Sequence, residues 1–277
     1  MLDLKLPDLS SSPEPIARRI SKALRQAIVT MRVTPGEMLS EQEVAQHFGV
    51  SRQPVREAFI KLSEAGLVRV LPQRGTLVVK ISVAAVEDAR FVREAIECAL
   101  TRRGAEAIAA DPARLEPFEA LLEAQEQAAL AREAERFFQL DEDFHRMLAA
   151  LAGRPSAWRI VEDVKAQMDR VRFLNMSEAQ PMAVVIRQHR EILEALRKTD
   201  PDAAEVAMRV HLSQIGQTLP VLSRRYPELF EAPARVVAMA APAGSAGLAG
   251  APAARTPRHQ RRSDKPATLT PARRTPA

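Results

Sequence analysis

Four residues in the middle of the chain have the side chains and the spacing to bind a divalent metal ion. They are Asp141, His145, His189 and His211. Each falls on the apolar stripe of a helical pattern, and a carboxylate buried there without a partner would be costly. One carboxylate and three imidazoles suit zinc, nickel or manganese, and the spacing does not choose among them. The alternative interpretation of each histidine is a core imidazole that is hydrogen-bonded to a neighbour.

A second group of polar residues opens a short helix nearer the N-terminus, in the sequence VSRQPVREAF. Pro54 falls in the first turn, where its missing N–H would have had no intrahelical partner. Arg52, Gln53 and Arg56 remain on the outward side, beside unpaired N–H groups that favour phosphate. Because arginine can bind guanine and glutamine can bind adenine, this helix start is predicted to contact DNA.

The segments around this helix start predict a helix-turn-helix. An amphipathic helix is predicted over residues 16–30, and a second helix follows Ser40, which forms a capping box with Glu43. Gly49 ends the second helix in a left-handed conformation, and Ser51 caps the third. Two helices joined by a short turn, the second presenting arginine and glutamine, match the geometry that enters a DNA major groove.

A β-hairpin is predicted directly after these helices. Its strands are residues 67–71 and 76–80, joined by the turn PQRG, and Arg74 in that turn can reach the DNA backbone or the minor groove. A hairpin in this place is a wing. The sequence therefore predicts a winged helix over residues 16–80.

Residues 82–230 have helical periodicity almost throughout, which predicts an all-helical bundle. The predicted helices cover residues 90–109, 115–130, 134–152, 156–175, 182–197 and 201–222. The last of them has Asp200 as its N-cap and Pro201 in the first position. The predicted fold class is mainly α, with an N-terminal winged helix-turn-helix followed by this bundle.

Charge is distributed unevenly along the chain. Residues 1–80 have 12 Lys and Arg against 8 Asp and Glu, residues 81–231 have 20 against 26, and residues 232–277 have 8 against 1. A basic front suggests a polyanionic partner, and the acidic middle suggests another task. Seven prolines among the last 46 residues predict a disordered tail over residues 231–277, after an N-terminal arm at residues 1–15.

The location of the protein is also predicted from composition. Cys98 is the single cysteine, so no internal disulfide framework exists, and the first thirty residues lack the apolar run of a secretory signal. Residues 236–254 are uncharged but too weakly apolar, and too interrupted by proline, to cross a bilayer. A cytoplasmic protein without a membrane segment is expected.

The sequence LSEQEVAQHFGVSRQPVREAFIKLSEAGLVRVLPQRGTLV resembles the DNA-binding domain of the GntR family of bacterial transcription regulators, and the similarity covers most of residues 16–80. The resemblance implies that Arg52 and Arg56 contact operator bases or phosphates. It also implies that Arg74 and Gly75 shape the wing.

The order and spacing of the Asp/His set resemble the ligand-binding domain called FCD, found in one branch of that family, over about residues 82–230. This resemblance implies a buried metal and a pocket for a small molecule. It places Arg93 where relatives have an effector-binding arginine, and a buried guanidinium suits a carboxylate. The alternative for Arg93 is a salt bridge to Glu97. Arg172 and Asn175 are further pocket candidates.

Together these patterns predict a homodimeric repressor that binds operator DNA and responds to a small organic acid bound beside the metal. Two alternatives remain open at this level. One is a regulator for which the metal ion itself is the signal. The other is a metal-dependent hydrolase, in which the Asp/His set activates water.

Overall fold

A computed structural model describes residues 13–176 and 181–232 of the chain. Within those residues it has ten α-helices, one short 3₁₀ helix and a three-stranded antiparallel sheet. The sheet and the first three helices form an N-terminal winged helix, and the remaining helices form a bundle. The predicted fold class is therefore confirmed.

The winged helix consists of helices α1–α3 and strands β1–β3. In chain order they are α1 (Ile16–Val29), β1 (Met38–Leu39), α2 (Glu41–Phe48), α3 (Arg52–Glu64), β2 (Val68–Leu71) and β3 (Gly75–Val78). Apolar residues three or four apart turn one face of α1 and one face of α3 towards each other. Ile20, Leu24, Val55 and Phe59 are buried in the resulting core.

At α2 the structure has one of the two hydrogen bonds of the predicted capping box and the predicted end at Gly49, whereas the predicted cap of α3 is incomplete. Ser40 Oγ accepts a hydrogen bond from the Glu43 N–H at 3.4 Å, and Gly49 has φ +64°. Ser51 occupies the N-cap position of α3, but its side chain makes no capping hydrogen bond. The first N–H groups of α3 are thus left for another partner.

The wing is the hairpin of β2 and β3, in which Leu71 lies opposite Gly75. The predicted strand limits were wrong by one to two residues, because β3 ends at Val78 rather than at Lys80. Sequence reasoning also missed β1, whose two residues pair with β3 and are too few to show an alternating pattern. Gly75 has φ +108°, and a Cβ there would lie 3.2 Å from the Leu39 carbonyl oxygen. The turn therefore requires glycine.

The bundle contains helices α4–α10. They are α4 (Val83–Ala110), α5 (Glu116–Leu130), α6 (Ala134–Leu151), α7 (Pro155–Val164), α8 (Ala166–Met176), α9 (Pro181–Arg197) and α10 (Pro201–Arg225), with the 3₁₀ helix Pro112–Leu115 before α5. Asp200 caps α10 as predicted, since its side chain accepts from two N–H groups at 3.0 and 3.1 Å.

Two helix predictions in the bundle were wrong. Helix α4 starts seven residues before the predicted residue 90, because Ser82 caps it by accepting from the Ala85 N–H. The predicted helix over residues 156–175 is two helices, α7 and α8, which meet at Lys165. The Lys165 ammonium is buried against Glu142 and Asp169. Because neither proline nor glycine stands at this junction, no local signal marked the helix end.

Helix α8 connects the bundle to the winged helix. Gln167 donates a hydrogen bond to the Gly66 carbonyl, and Arg170 donates one to the Val79 carbonyl at 2.9 Å. These two carbonyls flank the β2–β3 hairpin. From α1, Arg25 reaches the Glu162 carbonyl at 3.0 Å and the Asp169 carboxylate at 3.4 Å. Ala166 itself belongs to the winged-helix core.

The ends of the chain lie largely outside the described residues. Residues 1–12 of the predicted N-terminal arm and residues 233–277 of the predicted tail are not described. Among the helices that are described, none is long and apolar enough to cross a membrane.

Candidate metal and effector centre and DNA-facing surface

Helices α6, α9 and α10 bring the four predicted metal ligands together. Helix α6 contributes Asp141 and His145, one turn apart, α9 contributes His189 and α10 contributes His211. One ligand atom from each lies within 4.8 Å of all the others, and all four side chains are buried. These residues could therefore hold a metal ion.

The orientation of each histidine is fixed through Nδ1. Gln125 Oε1 bonds His189 at 2.8 Å and Gln188 Oε1 bonds His211 at 3.0 Å, while a carboxylate oxygen of Glu97 lies 2.5 Å from His145 as an ion-pair contact. The Gln125 amide is itself oriented, since its Nε2 donates to the Leu140 carbonyl at 3.1 Å. Because oxygen acceptors face Nδ1, the proton resides there, and the lone pair of Nε2 points towards the centre.

The centre of the cluster leaves acceptor atoms without donors. His189 Nε2 and Asp141 Oδ1 are buried 3.6 Å apart, and neither has a hydrogen-bond partner within the described part of the chain. The Nε2 atoms of His145 and His211 lie 3.2 Å apart. With both Nδ1 atoms protonated, the lone pairs of the two Nε2 atoms face and repel each other. A cation bound between them would remove this repulsion. The residues fit a metal ion on these grounds.

The protonation states also suit metal ligands. Burial lowers the pKa of His189 to about 3 and that of His211 well below its usual value, so both are neutral at physiological pH. Burial alone would raise the pKa of Glu97, but the positive charge of Arg93, with the contact to His145, outweighs it and lowers the pKa to about 2. Glu97 is therefore an ionised acceptor for His145.

Arg172 is part of this centre. Its guanidinium contacts Asp141 directly, Glu142 at 2.5 Å and Asp169 at 2.9 Å, with little of the side chain exposed. Burial would lower the pKa of Arg172, but the three carboxylates outweigh it and raise the pKa. A single arginine thus joins a candidate metal ligand to two further acidic groups.

A cavity of about 50 Å³ lies beside the cluster. All three predicted effector-binding residues line it, together with two of the metal-ligand candidates: Arg93, Arg172, Asn175, Asp141 and His211. Arg93 makes the salt bridge to Glu97 that was the alternative interpretation, and it also lines the cavity. Its Nε donates to Glu97, whereas its buried Nη2 has no hydrogen-bond partner among the described residues.

Sequence reasoning missed the residues that orient the histidines. Glu97 was considered only as a salt-bridge partner of Arg93, and Gln125 and Gln188 were not considered. A polar residue on an inward stripe was the available signal for Gln125. Gln188 adjoins His189 in sequence but orients His211, so only the packing of α9 against α10 reveals its contact.

The DNA-facing candidates lie at the start of α3. Arg52 and Arg56 have side chains that are 61% and 55% exposed, and both donate to Glu41 of α2 at about 3 Å. Gln53 donates to Glu57 at 3.1 Å. The Arg56 contact is the largest cause that lowers the pKa of Glu41, and Arg52 adds to it. The sequence did not indicate Glu41 as a partner of both arginines.

Arg74 is exposed in the wing turn, where its own N–H donates to the Leu71 carbonyl at 3.0 Å. Its side chain extends from a backbone fixed by that turn. An exposed arginine pair at the start of the second helix of a helix-turn-helix, followed by a wing and a helical bundle, defines the class of DNA-binding transcription regulators.

Comparison with known proteins identifies the family. The model described as "Bacterial regulatory proteins, gntR family" matches residues 16–78, and the model described as "FCD domain" matches residues 88–214. The HTH-type transcriptional repressor RspR of Escherichia coli K12 is 43% identical over 206 residues, which cover 74% of this chain and 90% of that protein. The chain belongs to the GntR family of transcriptional regulators, and its bundle is an FCD domain.

Solved structures agree on the fold. A putative GntR regulator from Rhodococcus sp. RHA1 has a TM-score of 0.63 at 25% identity and covers 74% of this chain and 97% of its own. E. coli McbR/YncC has a TM-score of 0.66 at 18% identity, covering 77% of this chain and 99% of its own.

Because the GntR family consists of transcriptional regulators, the protein is a transcriptional regulator and not an enzyme.

Proposed function

We propose that the protein is a repressor that binds operator DNA as a homodimer and loses affinity when a small carboxylate binds beside a divalent metal in the bundle. The winged helix of residues 16–80 would bind DNA, and the FCD bundle of residues 82–230 would bind the ligand and dimerise. The observation that carries this proposal is the buried, unpartnered Nη2 of Arg93 at a cavity beside the Asp/His cluster.

Asp141, His145, His189 and His211 would hold the metal. When bound, an ion with open coordination positions supplies a Lewis-acidic partner for a ligand oxygen. Zinc suits this donor set, and nickel and manganese are alternatives. Glu97, Gln125 and Gln188 keep the histidine Nε2 atoms turned inward, so the donor atoms are in place before an ion arrives.

Arg93 and Arg172 would bind the carboxylate of the effector. Both guanidinium groups are buried at the cavity, where an anion gains more from a positive charge than it does in water. Asn175 can add a hydrogen bond from the same wall. The cavity has room for only a few non-hydrogen atoms, which favours a small acid.

Helix α8 offers a route from the cavity to the winged helix. Arg172 bonds Asp169 at 2.9 Å, and Asp169 in turn bonds Arg25 of α1 at 3.4 Å. When Arg172 binds an effector carboxylate, its hydrogen bond to Asp169 weakens. The bond between Asp169 and Arg25 then changes, and so does the packing of α1 against α8. A coupling free energy of about 1–3 kcal/mol is enough to change operator occupancy usefully.

On the DNA side, Arg52, Gln53 and Arg56 would contact the operator, and Arg74 and Gly75 would form the wing contact. The arginines would exchange Glu41 for phosphate or a base edge, which is inexpensive because the ion pairs are exposed. A DNA-binding role also implies a cytoplasmic location. The name of RspR as a repressor supports the proposed sign of regulation.

A thermal-shift experiment tests the ligand site. The metal-loaded full chain is titrated with small mono- and dicarboxylates, and a true effector at 100 times its Kd should stabilise the protein by about 2.7 kcal/mol. Arg93→Met should abolish the shift. Arg187→Met, at an exposed ion pair with Glu191 on α9, is the matched control and should keep it.

Operator affinity is then measured by fluorescence anisotropy on a duplex selected from a random-sequence library. The same acid should weaken binding of the original protein and leave binding by Arg93→Met unchanged. If no carboxylate alters either melting or operator affinity, the proposed effector control is rejected, while the DNA-binding role stands.

A second candidate is a regulator for which the metal alone is the signal. The direct contact between Arg172 and Asp141 Oδ2 favours it, since an ion bound to the unpartnered Oδ1 would weaken the attraction of this carboxylate for Arg172 without any organic ligand. Operator affinity that responds to free Zn²⁺ without any organic acid would support this candidate over the first.

A further inference from the structure

Helix α4 has two faces with different partners. Its inward face carries Arg93 and Glu97, which belong to the candidate metal and effector centre. Its outward face is a stripe of exposed residues three or four apart: Asp88, Phe91, Ala95, Ala99 and Arg102. We call this stripe the α4 face.

The middle of the α4 face is apolar although it is exposed. Phe91 is 72% exposed, and Ala95 and Ala99 continue the stripe beside it. The outward stripe of a surface helix is ordinarily polar, and a helix that is apolar on both sides is ordinarily buried on both sides. The α4 face therefore has the composition of a covered surface.

Helix α10 extends this apolar surface. It runs antiparallel beside α4, as the ion pairs of Arg209 with Glu94 and of Arg102 with Asp202 show. Val206 and Val210 are exposed on α10, and their helical phase turns them to the same side as Phe91. The apolar area thus spans two neighbouring helices.

The order of residues on the α4 face is self-complementary about Ala95. Phe91 and Ala99 each lie four residues from Ala95, and Asp88 and Arg102 each lie seven residues from it. If two α4 helices cross antiparallel at Ala95, the large Phe91 meets the small Ala99, and Asp88 meets Arg102. A two-fold axis makes each of these contacts twice.

We propose that the α4 face binds a second copy of this chain, with the two α4 helices antiparallel about Ala95. The proposal rests on the homodimer of the proposed function and specifies its surface. A second copy is the occupant because Asp88 and Arg102, at equal distances on either side of Ala95, place opposite charges together when two copies pair antiparallel. Binding to an unrelated partner does not require this symmetry. Arg102 bonds Asp202 and Glu205 and has five N–H donors, so it can also serve Asp88 of the partner subunit.

A charge swap tests the pairing across the axis. Asp88→Arg and Arg102→Asp are each expected to weaken the dimer by about tenfold or more, since each places like charges together at both ends of the interface. The double variant Asp88→Arg/Arg102→Asp should recover part of that loss, and not all of it, because Arg102→Asp also removes the bonds to Asp202 and Glu205 within the chain. Dimer dissociation constants come from sedimentation equilibrium of the full chain, with circular dichroism to verify folding. The pairing would be overturned if the dissociation constant of the double variant rose by the product of the increases in the two single variants.

A substitution at the centre of the surface tests the apolar contact. Phe91→Glu should shift the protein to monomer. Leu130→Glu is the matched control, because Leu130 is 79% exposed at the end of α5, away from the α4 face, and its change should leave the dimer intact. A dimer that is equally insensitive to both changes contradicts the proposal.

Cross-linking tests the position of the axis. Ala95→Cys should form a disulfide between two copies on mild oxidation, whereas the buried Cys98 should not react in the unaltered chain. An unaltered protein that stays monomeric while it binds operator would overturn the homodimer itself. A dimer that ignores every change on the α4 face would overturn only the surface proposed for it.

Discussion

The two charged sites of this regulator differ in how firmly their arginines are held. In the winged helix, Arg52 and Arg56 are more than half exposed and share one carboxylate, that of Glu41. In the bundle, Arg172 is buried and contacts three carboxylates. Exposed ion pairs contribute little free energy and exchange easily, whereas a buried network is costly to break.

This difference fits the two tasks proposed for the sites. Arginines that exchange partners readily suit a surface that must bind and release DNA without a large change in fold. An arginine among buried carboxylates suits a centre whose ion pairs should break only when a ligand supplies a negative charge of its own to the arginine.

The largest effect is expected from Arg172→Met. It leaves Asp141, Glu142 and Asp169 buried with less compensation, so the free energy of unfolding of the metal-free chain should fall by about 3–5 kcal/mol. Urea denaturation measures it. Arg190→Met, which removes an exposed pair with Glu126, is the control and should cost no more than about 1 kcal/mol. Equal losses in the two variants would erase the proposed contrast.

Metal addition should have the next largest effect. Zn²⁺ at 100 times its Kd should raise the free energy of unfolding by about 2.7 kcal/mol, because it binds the folded state. His189→Ala should remove this gain, and His47→Ala, at an exposed histidine of α2, should retain it. Calorimetry should give one ion per chain. A gain that survives His189→Ala would place the ion elsewhere.

Smaller losses are expected on the DNA surface. Arg52→Ala and Arg56→Ala should each weaken operator binding by about 1–3 kcal/mol and leave the melting temperature nearly unchanged, since both side chains are exposed. Anisotropy titrations and thermal melts on the same samples provide the comparison. Lys61→Ala, on the same helix α3 but near its C-terminal end, serves as control. Undiminished binding by the double arginine variant would remove this surface from the proposal.

The smallest effect is expected from Glu41→Gln. It removes the negative charge that occupies Arg52 and Arg56, so operator affinity should rise by up to about 1 kcal/mol, mainly at low salt. The measurement is the operator Kd over a range of salt concentrations. An affinity that falls at every salt concentration would mean that Glu41 positions the arginines for DNA rather than competing with it.

Local signals made most of the winged helix predictable. Ser40, Gly49 and the apolar spacing of α1 act within a few residues of where they stand, and each has the expected effect. The strand β1 and the partnership of Glu41 with two arginines depend on residues from other elements. They could not be read from the neighbouring sequence.

The bundle shows the same limit more strongly. The Asp/His set was found because four polar groups interrupted apolar stripes. The contacts that orient them come from Glu97 on α4, Gln125 on α5 and Gln188 on α9, and no spacing links those residues to the histidines that they contact. The break at Lys165 likewise has no proline or glycine beside it that would mark a helix end.

The contacts of α8 with the wing have a consequence for how this regulator can evolve. Gln167 and Arg170 bind the carbonyls of Gly66 and Val79, which are main-chain atoms that every amino acid possesses. Substitutions along the hairpin can therefore accumulate without removing either acceptor. A lineage can therefore change the side chains of its wing while the bundle stays connected to the wing through the same two hydrogen bonds.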